Sequence, residues 1–419
     1  MTTARTLQII AAIAVAPATV RGQEAADTLT LAEALETARN ANPALQAVRL
    51  RADAAAERVS PAGALPDPQL MFGLMNRPVD LQTDQAMTMN TVQLTQRLPW
   101  PGKLKFGQRR MRHLAEAERL EAEEMEASLL ARVKAIYYQL AYVDRALGIM
   151  NETRDLLRDF HQVSAAMYGV GTGLQQDVLQ AQVAIATMTE DITVMEQNRV
   201  AMVARLNALL GRGPTVPVEA LELPVPTGIL PRQDSLMSLA AELRPALLAA
   251  RERAQAAEAG YRAARRTLYP DFTVTLGYGQ RPQFENLATL MFGISVPLWA
   301  GSRQLPLRRE MAAMQAMEEA KELDLYNETF ARIAELTAEA NRARSLSQLY
   351  ATAVLPQARA AVESALSAYR VGEVDYMTLV QNEMTVNRYE IESVRLAAEY
   401  HRAIAQIEAL LGGQIGEVQ

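Results

Sequence analysis

The chain has 419 residues, 49% hydrophobic and 21% charged, with a formal net charge of −6. That acidic balance gives no electrostatic support to nucleic-acid binding, and the lack of cysteine excludes disulfides, thiolate metal sites and a cysteine-linked lipid anchor. His113, His161 and His401 lie too far apart for metal-ligand spacing, and no phosphate loop, HExxH or GxSxG pattern occurs, so no catalytic residue, metal site or cofactor is expected.

Residues 1–22 read as a signal peptide: Arg5 precedes the apolar run Leu7–Ala16, and Ala18 and Gly22 offer small residues for cleavage. No later stretch approaches the roughly 18 apolar residues of a spanning helix. An exported chain of this kind is either soluble outside the cytoplasm or part of a β-barrel. The first repeat, 23–211, opens on the capping box Thr30-Leu-Ala-Glu33 and a short helix, and Pro43 starts the next. Two strand-like segments follow, at about 69–76 and 87–98, separated by a polar loop with Asp80 and Asp84. A long helix over 102–167 carries the seam Val133, Ile136, Leu140, Val143, Leu147 and Met150. These alternating steps of three and four mark a coiled-coil period, and the helix makes a rod on the order of 100 Å. The rod stops at Tyr168-Gly-Val-Gly-Thr-Gly173, and a second helix, 174–210, returns with a matching seam.

A Pro-rich linker, 212–234, leads into a second repeat, 235–412, with the same plan and a tail at 413–419. Pro43-Ala-Leu45 matches Pro245-Ala-Leu247, Pro66-Asp67 matches Pro270-Asp271, and Tyr168-Gly-Val-Gly171 matches Tyr369-Arg-Val-Gly372, all at offsets of about 200 residues. Its strands are expected at about 271–280 and 288–298, its long helix at 301–368 and its last helix at 375–411. Each strand alternates: Phe272, Val274, Leu276 and Tyr278 lie on one face, Thr273, Thr275 and two glycines on the other. Four such strands cannot close a barrel, for which about eight are needed. A membrane barrel therefore requires several chains, and dimer, trimer and tetramer all fit the arithmetic. The fold class expected is mainly α with a small membrane β component.

Together the duplicated order of elements, the turn Pro99-Trp-Pro-Gly-Lys103 and the two tips resemble the TolC-like outer membrane efflux protein family, over about Leu29–Gly412. The same turn resembles the heavy-metal branch of that family. The resemblance implies a homotrimer with a twelve-stranded barrel in outer membrane lipids, continued by an α-helical barrel through the periplasm of a Gram-negative bacterium. It further implies that a periplasmic adaptor protein docks on the tips, here Gly169, Val170, Gly171, Thr172, Gly173, Val371, Gly372 and Glu373, and links the tunnel to an inner-membrane pump of the resistance-nodulation-division type. A tip gate then falls on Tyr168, Asp177, Tyr369 and Asp375. The second copy departs from the family pattern, with Thr378 six residues after Gly372 and Val374 two after it. The function implied is a passive exit duct for metal ions or small toxic compounds. A type I protein-secretion duct and an exported coiled-coil scaffold are the alternatives. Two further features stand out. Lys103, Lys105, Arg109, Arg110 and Arg112 form a basic collar after the second strand, and Met71 and Met75 alternate with apolar residues so as to share the polar strand face.

Overall fold

The computed structural model describes residues 29–76, 88–228, 230–281 and 284–413. The expected signal peptide, the loop with Asp80 and Asp84, and all but the first residue of the tail lie outside them. Helices α1 (Leu31–Ala41), α2 (Pro43–Glu57) and α3 (Val59–Gly63) lead into strands β1 (Gln69–Met75) and β2 (Met89–Leu98). The long helix α4 (Lys103–Gly169) and its return α5 (Gln175–Leu209) complete the first half. The second half runs α6 (Gln233–Leu243), α7 (Pro245–Arg266), β3 (Asp271–Gln280), β4 (Leu287–Ser295), α8 (Gln304–Leu349), α9 (Leu355–Arg370) and α10 (Tyr376–Leu411). Among the described residues no helix is long and apolar enough to cross a membrane.

The second long helix corrects the uninterrupted span expected over 301–368. A π-helical turn, Tyr350–Val354, separates α8 from α9. Pro356 is the cause: it has no N–H for the carbonyl four residues back and its ring crowds that carbonyl, so the helix widens just before it. Helix α4 has no proline and runs unbroken for 67 residues. The short helix α6 was hidden in sequence by the proline-rich stretch that precedes it.

Short helices stack end to end along the rods. In the first repeat the end of α5 meets the start of α2: Asn42 caps α2 by accepting from the N–H groups of Ala44 and Leu45, and its amide donates to the carbonyl of Leu209 at 2.9 Å. Gly211 sits there at φ 67°, and a Cβ at that position would lie 2.5 Å from the Ala41 carbonyl oxygen. The second repeat builds the joint differently. Arg244 replaces the asparagine, and Glu124 on α4 accepts from Arg244 at 2.9 Å and from the Ala246 N–H at 3.2 Å, so the cap comes from a neighbouring helix. Between the repeats, the irregular linker is strapped to the rods through Asp144, which pairs with Arg199 and accepts from the Leu221 N–H at 2.9 Å.

The four strands form one antiparallel sheet in the order β1-β2-β3-β4. Register puts Leu70, Leu94, Leu276 and Leu290 in one cross-strand row, and Phe72, Val92 and Tyr278 in the next on the same face. The opposite face carries Gln93, Thr95, Thr275 and Gly277 with Met71, Met75, Met89 and Met291, and Met75 lies directly across from Met89. The sheet is clasped to the rods by Asp271 at the start of β3. Its carboxylate accepts from Lys103 at 2.6 Å, Arg97 at 2.8 Å and the Trp100 N–H at 2.9 Å.

Asn42→Ala is expected to cost about 1 kcal/mol, the worth of a lost helix cap. Gly211→Ala is expected to cost more, about 2 kcal/mol, since it combines left-handed strain with a backbone collision. Thermal unfolding followed by circular dichroism ranks the two.

Candidate functional site

The two hairpin tips are built alike. After α4, the Gly171 N–H donates to the Tyr168 carbonyl at 3.0 Å and the Thr172 N–H to the Met167 carbonyl at 2.9 Å. After α9, Gly372 donates to Tyr369 at 3.0 Å and Glu373 to Ala368 at 2.9 Å. This paired bonding requires a left-handed residue just past each helix, and Gly171 (φ 77°) and Gly372 (φ 78°) supply it. Gly169, Val170, Gly171, Thr172, Val371, Gly372 and Glu373 are all exposed, with Val170 and Val371 more than 70% so. Gly173 is half-buried, folded back against Met167.

Beneath these turns α4, α5, α9 and α10 share one core, containing Leu157, Phe160, Ala181, Met188, Ala365, Tyr369, Tyr376 and Leu379. The residues expected at the gate separate within it. The Tyr369 hydroxyl donates to Asp177 Oδ2 at 3.4 Å, joining the end of α9 to the first turn of α5. Tyr168 is 49% exposed and stands apart. Asp375 is engaged locally: it caps α10 by accepting from the N–H and the hydroxyl of Thr378 at 2.8 and 2.5 Å, and these bonds hold its carboxyl below the usual range. Thr378, the departure noted in sequence, is thus the partner of a cap.

Sequence reasoning missed Tyr376. Its ring meets Tyr369 edge-on at 5.7 Å, it is fully buried, and its hydroxyl has no hydrogen-bond partner among the described residues. One signal was available, since Tyr376 is the first residue after the cap and the only other aromatic at this tip. Further along α10, Glu383 is buried as well, and burial together with the nearby charge of Glu390 pushes its carboxyl up. Burial, then the Asp177 charge and hydrogen bond, push the Tyr369 phenol up to about 12. The neutral phenol is therefore the donor at all physiological pH values. Beside the tip, Leu179, Val183, Ala184, Met377, Val380 and Met384 line an apolar groove of about 620 Å³ between α5 and α10.

An open sheet with one apolar face, hung on long helical rods that end in paired glycine turns, defines a channel-forming class of protein. Residues 34–212 and 236–413 each match the profile described as Outer membrane efflux protein, and the chain belongs to that family. It is a channel component of outer membrane efflux, not an enzyme. Solved outer membrane channels share the fold. CusC superposes with a TM-score of 0.81 at 16% identity, covering 91% of this chain and 92% of that one. VceC from Vibrio cholerae gives 0.78 at 18% identity, covering 92% and 96%. The outer-membrane channel OprN gives 0.76 at 21% identity, covering 92% and 90%. No curated protein sequence matches the chain.

The two tyrosines should respond oppositely to loss of the hydroxyl. Tyr369→Phe is expected to destabilise by about 1–2 kcal/mol, because it removes a bond to a carboxylate, whereas Tyr376→Phe removes an unpaired buried hydroxyl and is expected to be neutral or stabilising. Because the folded Tyr369 pKa is raised, its contribution is complete below the unfolded value of about 10 and fades as pH rises through about 12. Chemical denaturation at neutral pH, repeated at alkaline pH, tests both signs.

Proposed function

We propose that three copies of the chain close a twelve-stranded barrel in the outer membrane of a Gram-negative bacterium and continue it as a periplasmic tunnel. The assembly is the passive exit duct of a tripartite efflux system for metal ions or small toxic compounds. One observation carries this reading: a single apolar sheet face, in register across strands from both repeats, at the head of rods about 100 Å long. The apolar rows face lipid and the threonine, glutamine and glycine rows face the pore, where diameter and charge set selectivity. Four methionines share that inner face, and thioethers suit soft cations such as Cu(I), which supports a soft metal ion among the substrates.

At the far end, Gly169–Thr172 and Val371–Glu373 present exposed backbone and two valines to a periplasmic adaptor, with half-buried Gly173 closing the first turn behind them and the apolar α5–α10 groove alongside. Through that adaptor the duct reaches an inner-membrane pump of the resistance-nodulation-division type. The Tyr369–Asp177 bond ties the two hairpins of one chain together at the tip and acts as its latch.

Asp177→Ala is expected to make the tip leakier, raising single-channel conductance in planar bilayers; an unchanged conductance would remove the latch from the reading. The protein should sediment with outer membrane and resist salt extraction, where a peripheral scaffold would wash off. Deletion should sensitise cells to copper, silver or zinc, or to small toxic compounds, and that assay selects the substrate.

A further inference from the structure

A ladder of rings and cations runs from the sheet onto the rods. Phe272 belongs to the apolar sheet face, in the row of Leu98 and Ile294. Trp100 stacks on Phe272 at 5.7 Å and on Tyr269 at 5.1 Å. The Arg266 guanidinium lies 5.8 Å from the Tyr269 ring and 5.9 Å from the Phe106 ring, and Arg109 lies 5.9 Å over Phe106 in turn. The ladder ends at a cleft of about 350 Å³ between α4 and α7, lined by Arg109, Arg112, His113, Gln255, Glu258 and Arg262. The ladder thus runs without a break from the apolar sheet face to this cleft.

The charges in the cleft do not balance. Glu258 is engaged by Arg262 at 2.5 Å, and Glu252 is bonded to His113 at 2.7 Å. Arg109 and Arg112 are exposed and have no carboxylate partner among the described residues. Two planar forks of donors thus face a cavity roomy enough for a tetrahedral oxyanion and part of the molecule that carries it, and guanidinium forks bind phosphate bidentately as they do carboxylate. Depth agrees. Arg109 and Arg112 stand six and nine residues beyond the start of α4, about 9 and 14 Å along the helix. Helical side chains lean back toward the N-terminus, here toward the sheet. Headgroups occupy roughly 5–8 Å beyond each side of the hydrocarbon layer, and tryptophan and tyrosine rings gather at that boundary.

We propose that this cleft is a phosphate site that takes the headgroup phosphate of an anionic lipid in the periplasmic leaflet, a reading that rests on the outer-membrane placement above. Arg109 and Arg112 pair with the phosphate, Gln255 and Arg262 line the rest of the cleft, and the Trp100–Tyr269–Phe106 rings lie along the lipid's glycerol region. The site fixes the height of the channel in the membrane by a stoichiometric contact, beyond a general attraction of basic residues to the surface.

The test uses the full chain in a non-ionic detergent, with bound molecules counted by native mass spectrometry. Phosphatidylglycerol, phosphatidylcholine and inorganic phosphate are the three probes. Phosphatidylglycerol should bind about tenfold more tightly than phosphatidylcholine, and Arg109→Gln with Arg112→Gln should abolish that preference, as expected for losing two surface cations each worth a few-fold or more. Arg145→Gln with Arg158→Gln removes the same charge from exposed positions further down α4 and should leave it intact. Equal loss in both double variants, or no preference in the parent protein, would overturn the proposal. Binding of inorganic phosphate alone, with the same dependence on Arg109 and Arg112, would overturn the lipid assignment and retain the phosphate site. All four arginines are exposed, so the variants are expected to fold, and circular dichroism verifies it. A protein that holds phosphatidylglycerol but forms no channel would sink the duct reading alone; a conducting channel without the preference would sink the site alone.

Discussion

Backbone hydrogen bonding at two sheet edges constrains everything else in this chain. Among the described residues, strands β1 and β4 each have a neighbour on one side only, so each presents a row of N–H and C=O groups that no other described strand receives. In lipid, each such group left unpaired costs several kcal/mol. In the proposed barrel the chain is therefore incomplete as a membrane element until its edges meet those of other copies. The Asp271 clasp belongs to this constraint. By tying β2, the Trp100 turn and β3 to the head of α4, it fixes the orientation of the sheet relative to the rods. In the proposed assembly, closing the sheet also sets where the helices stand around a common axis.

The repeats share a plan but solve its local problems with different chemistry. The joint between a short helix and the helix returning from the tip is capped by a local asparagine in one half and by Glu124, borrowed from α4, in the other. At the tips, Asp177 is free to receive Tyr369 because nothing in its own turn occupies it, whereas Asp375 is consumed in capping α10. The glycine turns themselves are nearly superimposable in their bonding. Backbone geometry has been held while side-chain wiring has diverged. Contacts that read the tips by shape meet two similar surfaces, and those that read side chains meet two different ones.

Most of the fold class was legible because it rests on periodicity. The three-four seam of α4 and the alternation of Phe272, Val274, Leu276 and Tyr278 are direct consequences of how helices and strands bury one face. The glycine turns were legible for a similarly local reason, since few residues other than glycine adopt positive φ. What escaped was long-range. Nothing in the stretch around Glu124 announces a cap for a helix about 120 residues later. Tyr376 looked like an ordinary helix residue until α5 and α9 were packed against it. The break at Pro356 was legible and was overridden by the strength of the seam around it.

That break has a consequence for the tip. Both rods count 67 residues, Lys103–Gly169 in the first repeat and Gln304–Arg370 in the second, and the two hairpins finish together in one core. Continued in steps of seven from Leu336, Ala340 and Ala343, the buried stripe of α8 would bring Ser364 and Ala368 inward. Ala365 and Tyr369 are buried in their place, a slip of one position across the π-turn. The widened turn thus shifts the phase of the second rod without changing its count. Through it, a proline four turns up the helix decides which side chain, alanine or tyrosine, arrives opposite Asp177.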